Sequence, residues 1–424
     1  MMKRIRNTLA LLLATIVLFA QGAETLTLDQ CYQLAREQYP LVKQRDLIEK
    51  SKAYNIDNIK KGYLPQVNFN AQVTYQSDVT QLTLPDNLPI QITVEPPSKD
   101  QYKMYGEVTQ SLTDAVFIEP QRKIASANAE VEKQKLEVEL YKLKERVNQL
   151  YFGVLLIDGQ QEQVKLLQKD LQTGMDRMEA AIKNGVAFKS NLTELQAEKL
   201  KADQRLIELK ATRTAYLAML GQFINKPLGD DTKLETPVAV VENTAISRPE
   251  LALFELQKSS LSLQDKLIVA KTIPRLGVFF QGGYAKPGLN MLKNEFAGYY
   301  LTGVKLGWSL NGFYTFKKDK KLLDVNRSLI DVQQENFLFN TNFALKQQDG
   351  ELKKLQELIS TDDDIISLRG QIKESAQAQL ANGVITGSDF VLKVNAEDQA
   401  RQNKLVHTIQ LLMAQYNYKT TSGN

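Results

Sequence analysis

The sequence predicts a mainly α-helical protein with a smaller β part, built from two copies of one structural unit. Three observations predict this class: a repeat along the chain, long helical stripes of apolar residues, and a few short segments that alternate apolar and polar side chains. The repeat begins with matched prolines and tyrosines. Each residue of the second set lies 209 positions after its counterpart: Pro249 after Pro40, Pro274 after Pro65, and Tyr284 after Tyr75.

A second set of matched segments extends the repeat at a smaller offset of 198 positions. The pairs are Gln110-Ser111-Leu112 with Trp308-Ser309-Leu310, Asn184-Gly185-Val186 with Asn382-Gly383-Val384, and Ser190 with Ser388. The change of offset indicates one loop that is shorter in the second copy. We predict a first repeat at residues 23–223, a linker at 224–246 and a second repeat at 247–424, each with a helix, two strands and a long helical hairpin.

The first 22 residues have the composition of a secretory signal peptide. Lys3, Arg4 and Arg6 precede an apolar run at residues 9–20, and small residues follow it. We therefore expect the mature chain to be exported. No later stretch approaches the ~20 apolar residues of a membrane-spanning helix, so any membrane contact must use other elements.

The single cysteine, Cys31, excludes an intramolecular disulfide framework. It could be a lipidation site, but it lies well past the apolar run and follows the polar pair Asp29-Gln30. A buried free thiol is the favoured interpretation.

Apolar residues also mark a long helix in each repeat. After Pro120 the chain has no further proline up to Lys183, and apolar side chains recur at steps of three and four, which is typical of coiled-coil packing. They include Leu140, Leu143, Val147, Leu150, Val154, Ile157, Val164, Leu167, Leu171, Met175, Met178 and Ile182. A helix of about 65 residues would be roughly 100 Å long. An Asn-Gly pair, which tolerates left-handed torsions, reverses each hairpin.

Both repeats open with a predicted helix start. Thr27 with Gln30, and Ser247 with Glu250, have the spacing of a capping box. The first helix of each repeat should end near a proline, because the residue before a proline avoids helical torsions.

Four segments of about ten residues alternate apolar and polar side chains, which predicts strands. One is at residues 67–76, where Val67, Phe69, Ala71 and Val73 alternate with amides and threonine; the others are near 104–112, 276–284 and 300–310, with Phe279 as an exception. This period of two puts one face in an apolar medium and the other in water, and the length matches a tilted transmembrane strand. Glu107 and Lys305 would then face a wet lumen.

Four strands cannot close a barrel, since the smallest closed barrels need about eight. Unpaired backbone groups in lipid cost several kcal/mol each, so a membrane-spanning version must oligomerise. A soluble β-sandwich is the alternative, but it leaves the small number of strands beside such long helices unexplained.

The residue types of ordinary active sites are scarce. One histidine, His407, and one cysteine cannot supply His-based acid/base chemistry or a Cys/His metal site. We expect no enzyme activity, no cofactor, no metal site and no nucleic-acid partner. His407 is expected to be a packing or surface residue, and the run Asp362-Asp363-Asp364 a solvated helix face.

The combination of signal peptide, duplication and paired long hairpins resembles the TolC-like outer-membrane efflux proteins, over essentially the whole mature chain. The helix start Arg248-Pro249-Glu250-Leu251 and the Asn-Gly turns also match that family. The resemblance implies a homotrimer in outer-membrane lipid. Four transmembrane strands per protomer would form one 12-stranded β-barrel, and the duplicated antiparallel coiled-coil hairpins would form a periplasmic α-barrel. It implies the exit duct of a tripartite efflux or type I secretion system, served by a periplasmic adaptor and an inner-membrane pump.

The resemblance also implies sites. In the family, carboxylates near the hairpin tips ring the pore. The equivalent position, six residues after the tip glycine, is Asp389 in the second repeat and Asn191 in the first, while Leu392 replaces a second carboxylate. These three residues are the predicted pore aperture, and the alternative is that Asp389 caps the following helix. The predicted adaptor contacts are the tips, Asn184, Gly185, Val186, Asn382, Gly383 and Val384.

An exported coiled-coil scaffold without transport activity is the second interpretation, and an enzyme is a distant third. Recovery from the outer membrane as a trimer would separate the first two. The sequence does not identify the cargo: drugs, metal ions and secreted peptides fit it equally.

Overall fold

The computed structural model describes residues 25–81, 96–240 and 244–424. Most of these residues are helical, as predicted. The predicted signal peptide, and part of the predicted loop at residues 77–100, lie outside the described residues. The α-helices are α1 (Leu28–Gln38), α2 (Gln44–Lys60), α3 (Ala115–Tyr141), α4 (Leu143–Lys183), α5 (Lys189–Ile224), α6 (Pro249–Ala270), α7 (Asn311–Ala381) and α8 (Gly387–Ser422). Short 3-10 helices at Pro40–Lys43 and Lys61–Tyr63 flank α2.

The strands form two sheets. They are β1 (Thr25–Leu26), β2 (Gln66–Tyr75), β3 (Asp100–Ser111), β4 (Lys233–Leu234), β5 (Arg275–Lys286) and β6 (Ala297–Gly307). β1 and β4 pair in parallel. The other four form one antiparallel sheet in the order β2, β3, β5, β6, so that β3 and β5 join the strands of the two halves of the chain.

The elements follow the same order in both halves of the chain. After α1, the run α2, β2, β3, α3, α4, α5 corresponds to α6, β5, β6, α7, α8. The long helix is continuous in the second half, where α7 has 71 residues. In the first half it is interrupted between α3 and α4, but Lys142 keeps helical torsions there (φ −62°, ψ −19°). The interruption is therefore a local irregularity in the helix and does not reverse the chain.

One of the two predicted capping boxes is present. The backbone N–H of Gln30 donates to Thr27 Oγ1 at 3.2 Å, and that of Thr27 donates to Gln30 Oε1 at 2.9 Å. The second prediction is wrong: α6 begins at Pro249, and the Glu250 carboxylate accepts hydrogen bonds from the Arg248 guanidinium. Proline at the first helical position fixes a helical φ, which sets the start one residue later than a Ser247 cap requires.

The described chain divides into two compact units. The helical unit contains residues 25–44, 135–240, 244–251 and 335–424; the sheet unit contains residues 45–81, 96–134 and 252–334. The helical unit holds the β1–β4 pair, α1, α4, α5, α8 and the C-terminal parts of α3 and α7. The sheet unit holds the four-stranded sheet, nearly all of α2, most of α6 and the N-terminal parts of α3 and α7.

The predicted coiled-coil stripe is the core of the helical unit. Val147, Val154, Val164 and Leu171 of α4 are fully buried. One apolar cluster packs this stripe against α5, α7 and α8, and a second packs it against α1 and α5. Burial of these side chains drives the association of the helices.

Cys31 belongs to the second of these clusters and is fully buried, which confirms the prediction of a packed free thiol. Burial raises the pKa of the thiol to about 12, against a smaller opposing effect of Lys226. Cys31 is therefore a neutral apolar side chain at physiological pH.

Candidate functional surfaces

Two hairpin tips of the helical unit have the same backbone geometry. In the first, Gly185 N donates to Ile182 O and Val186 N to Ala181 O, both at 3.0 Å. In the second, the equivalent bonds run from Gly383 N to Leu380 O (3.1 Å) and from Val384 N to Gln379 O (2.9 Å). Gly185 and Gly383 have φ of +74° and +68°, the left-handed region that glycine enters without steric cost.

The structure brings the two tips together. A Cβ atom built on Gly383 would lie 3.1 Å from the carbonyl oxygen of Val186 in the other tip. Around this contact Val186, Val384 and Phe188 are exposed, and 78% of Phe188 is accessible to solvent. We call these three residues the tip patch. Phe188 was missed by the sequence analysis, although a phenylalanine between an Asn-Gly turn and the polar start of a helix was a visible signal.

Asp389 is part of a capping box at the start of α8. Its backbone N–H donates to Thr386 Oγ1 at 3.1 Å, and its Oδ2 accepts from the Thr386 backbone N–H (3.1 Å) and hydroxyl (2.7 Å). The hydrogen bond from the Thr386 hydroxyl, then that from its amide, hold the pKa of the Asp389 carboxyl below its usual range. The capping geometry that was the alternative for this residue is therefore present. The sequence signal, Thr386 three residues before Asp389, was visible but not used.

The other two aperture candidates lie close to this cap. Leu392, three residues further along α8, is exposed. Asn191, in the first turn of α5, packs against the start of α8: a Cβ atom on Gly387 would lie 2.9 Å from the Asn191 carbonyl oxygen. The pore role of the three residues stays a prediction.

An ionic network around one buried carboxylate, that of Glu397, joins α4, α7 and α8. Lys373 Nζ lies 2.5 Å from Glu397 Oε2 and 2.9 Å from Asp170 Oδ2, and Arg401 Nη2 lies 2.6 Å from Glu397 Oε1. Only 3% of the Glu397 side chain is exposed. Burial raises the pKa of Glu397, but the bonds from Lys373 and Arg401 outweigh it and the net pKa is lowered. In Asp398 burial dominates, and the pKa is raised.

His407 and Asp362 form another pair between α7 and α8, with His407 Nδ1 2.6 Å from Asp362 Oδ2. Asp362 is only 7% exposed, so the prediction of a solvated face is wrong for this residue. The packing of α8 over it is the reason. His407 is a packing residue, as predicted. Residues 25–81, 96–240 and 244–424 contain no group of three His, Cys, Asp or Glu side chains placed to hold a metal ion.

The antiparallel sheet has one apolar and one polar face. Residues paired across neighbouring strands share a face, and the row Val67, Val108, Phe280, Thr302 is on the apolar one. The row Asn68, Glu107, Gln281, Leu301 is on the other. The alternation predicted for each strand is therefore consistent across the whole sheet.

Glu107 and Lys305 both lie on this polar face but in different rows. Glu107 is opposite Gln281, whereas Lys305 is opposite Gly277, four residues earlier on β5. On the apolar face, Val73 and Val304 are 71% and 68% exposed. Apolar side chains so exposed on one sheet face indicate a surface that other apolar material covers.

Part of the chain matches a known family. A family model described as outer membrane efflux protein matches residues 31–226, which include α2, β2, β3, α3, α4, α5 and most of α1. The matched part of the chain, residues 31–226, therefore resembles the outer membrane efflux proteins. The resemblance stated from the sequence is confirmed.

Solved structures of outer-membrane proteins share the fold of this chain. The outer membrane protein VceC of Vibrio cholerae superposes with a TM-score of 0.64 at 11% identity, covering 94% of this chain and 96% of that one. CusC gives 0.66 at 12% identity over 93% and 91%. The channel MtrE of Neisseria gonorrhoeae gives 0.63 at 13% identity over 94% and 89%. At these identities the likeness shows the fold. No curated protein sequence matches the chain significantly.

Within the described part of the chain, no helix has the length and apolar character needed to cross a bilayer.

Proposed function

We propose that this protein is a homotrimeric channel of the outer membrane that passively conducts cargo delivered by an inner-membrane pump through a periplasmic adaptor. It would be the exit duct of a tripartite efflux or type I secretion system and have no enzyme activity. The observation that carries the proposal is the four-stranded sheet, apolar on one face and polar on the other, in a chain whose residues 31–226 match the outer membrane efflux protein model.

The edges of the sheet support a trimer. Among the described residues, β2 and β6 each pair with one neighbour only, so each has an unpaired edge. Unpaired backbone groups in hydrocarbon cost several kcal/mol each. Strand directions alternate from β2 to β6, so β6 of one copy would continue the antiparallel order with β2 of the next. Three copies then give a closed 12-stranded barrel with the apolar face towards lipid and Glu107 and Lys305 towards the lumen.

A helix of the sheet unit supports the same assembly. Leu322, Val325, Leu329 and Val332 follow steps of three and four along α7, and all four are more than half exposed in the single chain. We call them the α7 stripe. Side chains at this spacing form one helix face that packs well against another helix. A neighbouring copy of the chain is the proposed cover for it.

The tip patch supports the adaptor contact. Val186, Phe188 and Val384 are exposed apolar side chains at the two hairpin turns. Exposed apolar side chains flanked by polar residues mark protein interaction sites. We propose that a helical adaptor docks there, and that Asp389, Leu392 and Asn191 line the nearby aperture.

The test combines location, assembly and conduction. The protein should fractionate with the outer membrane, be released only by detergent, and run as a trimer that resists mild heating. Purified trimers should give discrete conductance steps in planar bilayers. Recovery as a soluble periplasmic monomer would falsify the proposal and favour the exported scaffold, while membrane trimers without conductance would reject the channel alone.

A further inference from the structure

A cavity of about 1030 Å³ lies in the sheet unit, at the end of the sheet where all four strands connect to helices. Its sheet wall includes polar-face residues, among them Arg275, Phe279 and Lys305. Residues from the start of α3, the end of α6 and the start of α7 complete it. A cavity of this size is large enough for a drug-sized molecule.

The charge of the lining is mostly positive. Lys271, Arg275 and Lys305 line the cavity, and Asp114 is the one carboxylate among the lining residues. Lys271 is partly neutralised by Asp319, 3.4 Å away. Lys305, exposed on β6, has no ion-pair partner among residues 25–81, 96–240 and 244–424. The first turns of α3 and α7, which also line the cavity, add the partial positive charge of helix N-termini.

The lining is also aromatic. Phe279 is the residue that breaks the alternation of β5, and its ring lies beside Gly303 on the neighbouring strand, where a Cβ atom would be 3.1 Å from it. Phe279 is thus an aromatic residue on the polar face that lines the cavity. Trp308 also lines the cavity and is held by a hydrogen bond from its Nε1 to Thr272 O at 3.0 Å. Phe117 lies under the Arg275 guanidinium, 4.4 Å from ring centre to Cζ.

We propose that this cavity is a binding site for anionic aromatic small molecules. The aromatic body of the ligand would pack on Phe279 and Trp308, and its carboxylate or sulfonate would pair with Lys305 and Arg275 through charge-assisted hydrogen bonds. The proposal also concerns cargo, and in that respect it rests on the proposed transport function. Such a site would bind organic anions in preference to organic cations at the end of the sheet that connects to the helices. Binding itself is measurable without transport.

Trp308 is the only tryptophan of the chain, which makes it a reporter within the site. The experiment uses the purified detergent-solubilised protein and two probes with one fluorophore: dansylglycine, an anion, and dansylcadaverine, a cation. Energy transfer from Trp308 to the dansyl group reports binding near the cavity, and Trp308→Phe must abolish the signal. We expect dansylglycine to give saturable transfer with an affinity at least several-fold above that of dansylcadaverine.

Substitutions assign the selectivity to named side chains. Lys305→Gln and Arg275→Gln should each weaken dansylglycine binding by about two- to fivefold, the scale of a solvent-accessible ion pair. Lys305→Glu should reverse the preference between the probes, and Phe279→Ala should weaken both. Lys103→Gln is the matched control. It removes one charge from the same face of the sheet, near the start of β3 and outside the cavity. It should leave binding unchanged.

Equal affinity for the two probes, no transfer to either, or unchanged binding in Lys305→Gln and Arg275→Gln would overturn the site. The absence of any transfer would be the result if another copy of the chain filled the cavity. Trimers that conduct but do not bind dansylglycine reject this inference and leave the proposed function standing. Selective binding of dansylglycine by a protein that forms no channel would reject the proposed function and support the binding site.

Discussion

Glu397 shows how a single buried charge depends on its partners. The helical unit encloses this carboxylate almost completely, and burial alone would raise its pKa. Lys373 and Arg401 reverse that effect, so Glu397 is ionised in the folded protein. Because its folded pKa lies below the unfolded value, the network contributes stability above the unfolded pKa and loses it as the pH falls through the folded pKa.

Replacing Lys373 with methionine should lower the free energy of unfolding by up to about 3 kcal/mol at neutral pH, since it leaves a buried carboxylate with Arg401 as its remaining partner. Burial should then raise the pKa of Glu397 in the variant, so the loss should become smaller as the pH is lowered to about 4, because the buried carboxyl of the variant becomes protonated. Chemical denaturation followed by circular dichroism at both pH values measures this. Lys404→Met is the control, because its partner Asp363 is exposed and the cost should stay below about 1 kcal/mol. Equal losses in the two variants, or a loss that does not depend on pH, would contradict the assigned role of Lys373.

Asp389 caps α8 and is proposed to line the aperture, and substitution can separate these two roles. Asn in its place can still accept from the Thr386 backbone N–H but carries no charge. If three copies of the carboxylate ring the aperture, Asp389→Asn should lower cation selectivity in planar bilayers with little change in helix stability. Thr386→Val is the complement: it keeps the charge and removes the capping hydroxyl, at a cost of about 0.5–2 kcal/mol. Unchanged selectivity in Asp389→Asn would leave capping as the sole role of the residue.

At the scale of elements, the strands were predictable because a period of two is a local property of the sequence. Alternation placed Glu107 and Lys305 on one face and Val73 and Val304 on the other, and the register agrees. The contacts of Phe279 were not predictable, since they depend on Gly303 in the next strand. Asp362 was misassigned for a similar reason: its partner His407 is 45 residues away on another helix.

The assigned faces make a prediction for the membrane band. If Val73 and Val304 face lipid, arginine at either position should cost up to about 2–4 kcal/mol near the bilayer midplane and reduce barrel assembly. Arginine at Thr74, which pairs with Gln101 on the polar face, should be tolerated. The yield of heat-resistant trimer in the outer membrane is the measurement. Equal yields for all three variants would reject the orientation of the sheet.

The hairpin tips make a prediction of their own. Valine at both Gly185 and Gly383 should be strained, because a β-branched residue avoids their positive φ, and at Gly383 the Val186 carbonyl oxygen leaves little space. Export should fall sharply while trimers remain in the membrane. Asn at Gly185 is the control, since asparagine tolerates the left-handed region. Normal export at normal trimer levels in the valine variant would rule out adaptor docking at the tip patch.

For the whole molecule, the sequence predicted the order of elements better than the way they group. The predicted repeats divide the chain once, near residue 224, whereas each compact unit contains segments from both halves of the chain. The reason is physical: β3 pairs with β5, and α4 packs with α8, so the strands of both copies join in one sheet and the hairpins of both copies in one helical core. A repeat in sequence therefore need not fold as a separate domain when its faces are buried against the other copy.

The proposed contact between copies of the chain can be tested on α7. The α7 stripe is exposed in the single chain, and burying four such side chains against a neighbour would contribute on the order of several kcal/mol per interface. Leu329→Glu puts a charge in the middle of the stripe and should reduce heat-resistant trimers strongly, because an unpaired carboxylate resists burial. Ser328→Glu adds the same charge one residue earlier on the same exposed helix, off the stripe, and should leave the trimer intact. Crosslinking in membranes distinguishes lost assembly from lost heat resistance. Trimers of equal abundance in both variants would mean that something other than a second copy of the chain covers the α7 stripe, and that the strand edges alone hold the channel together.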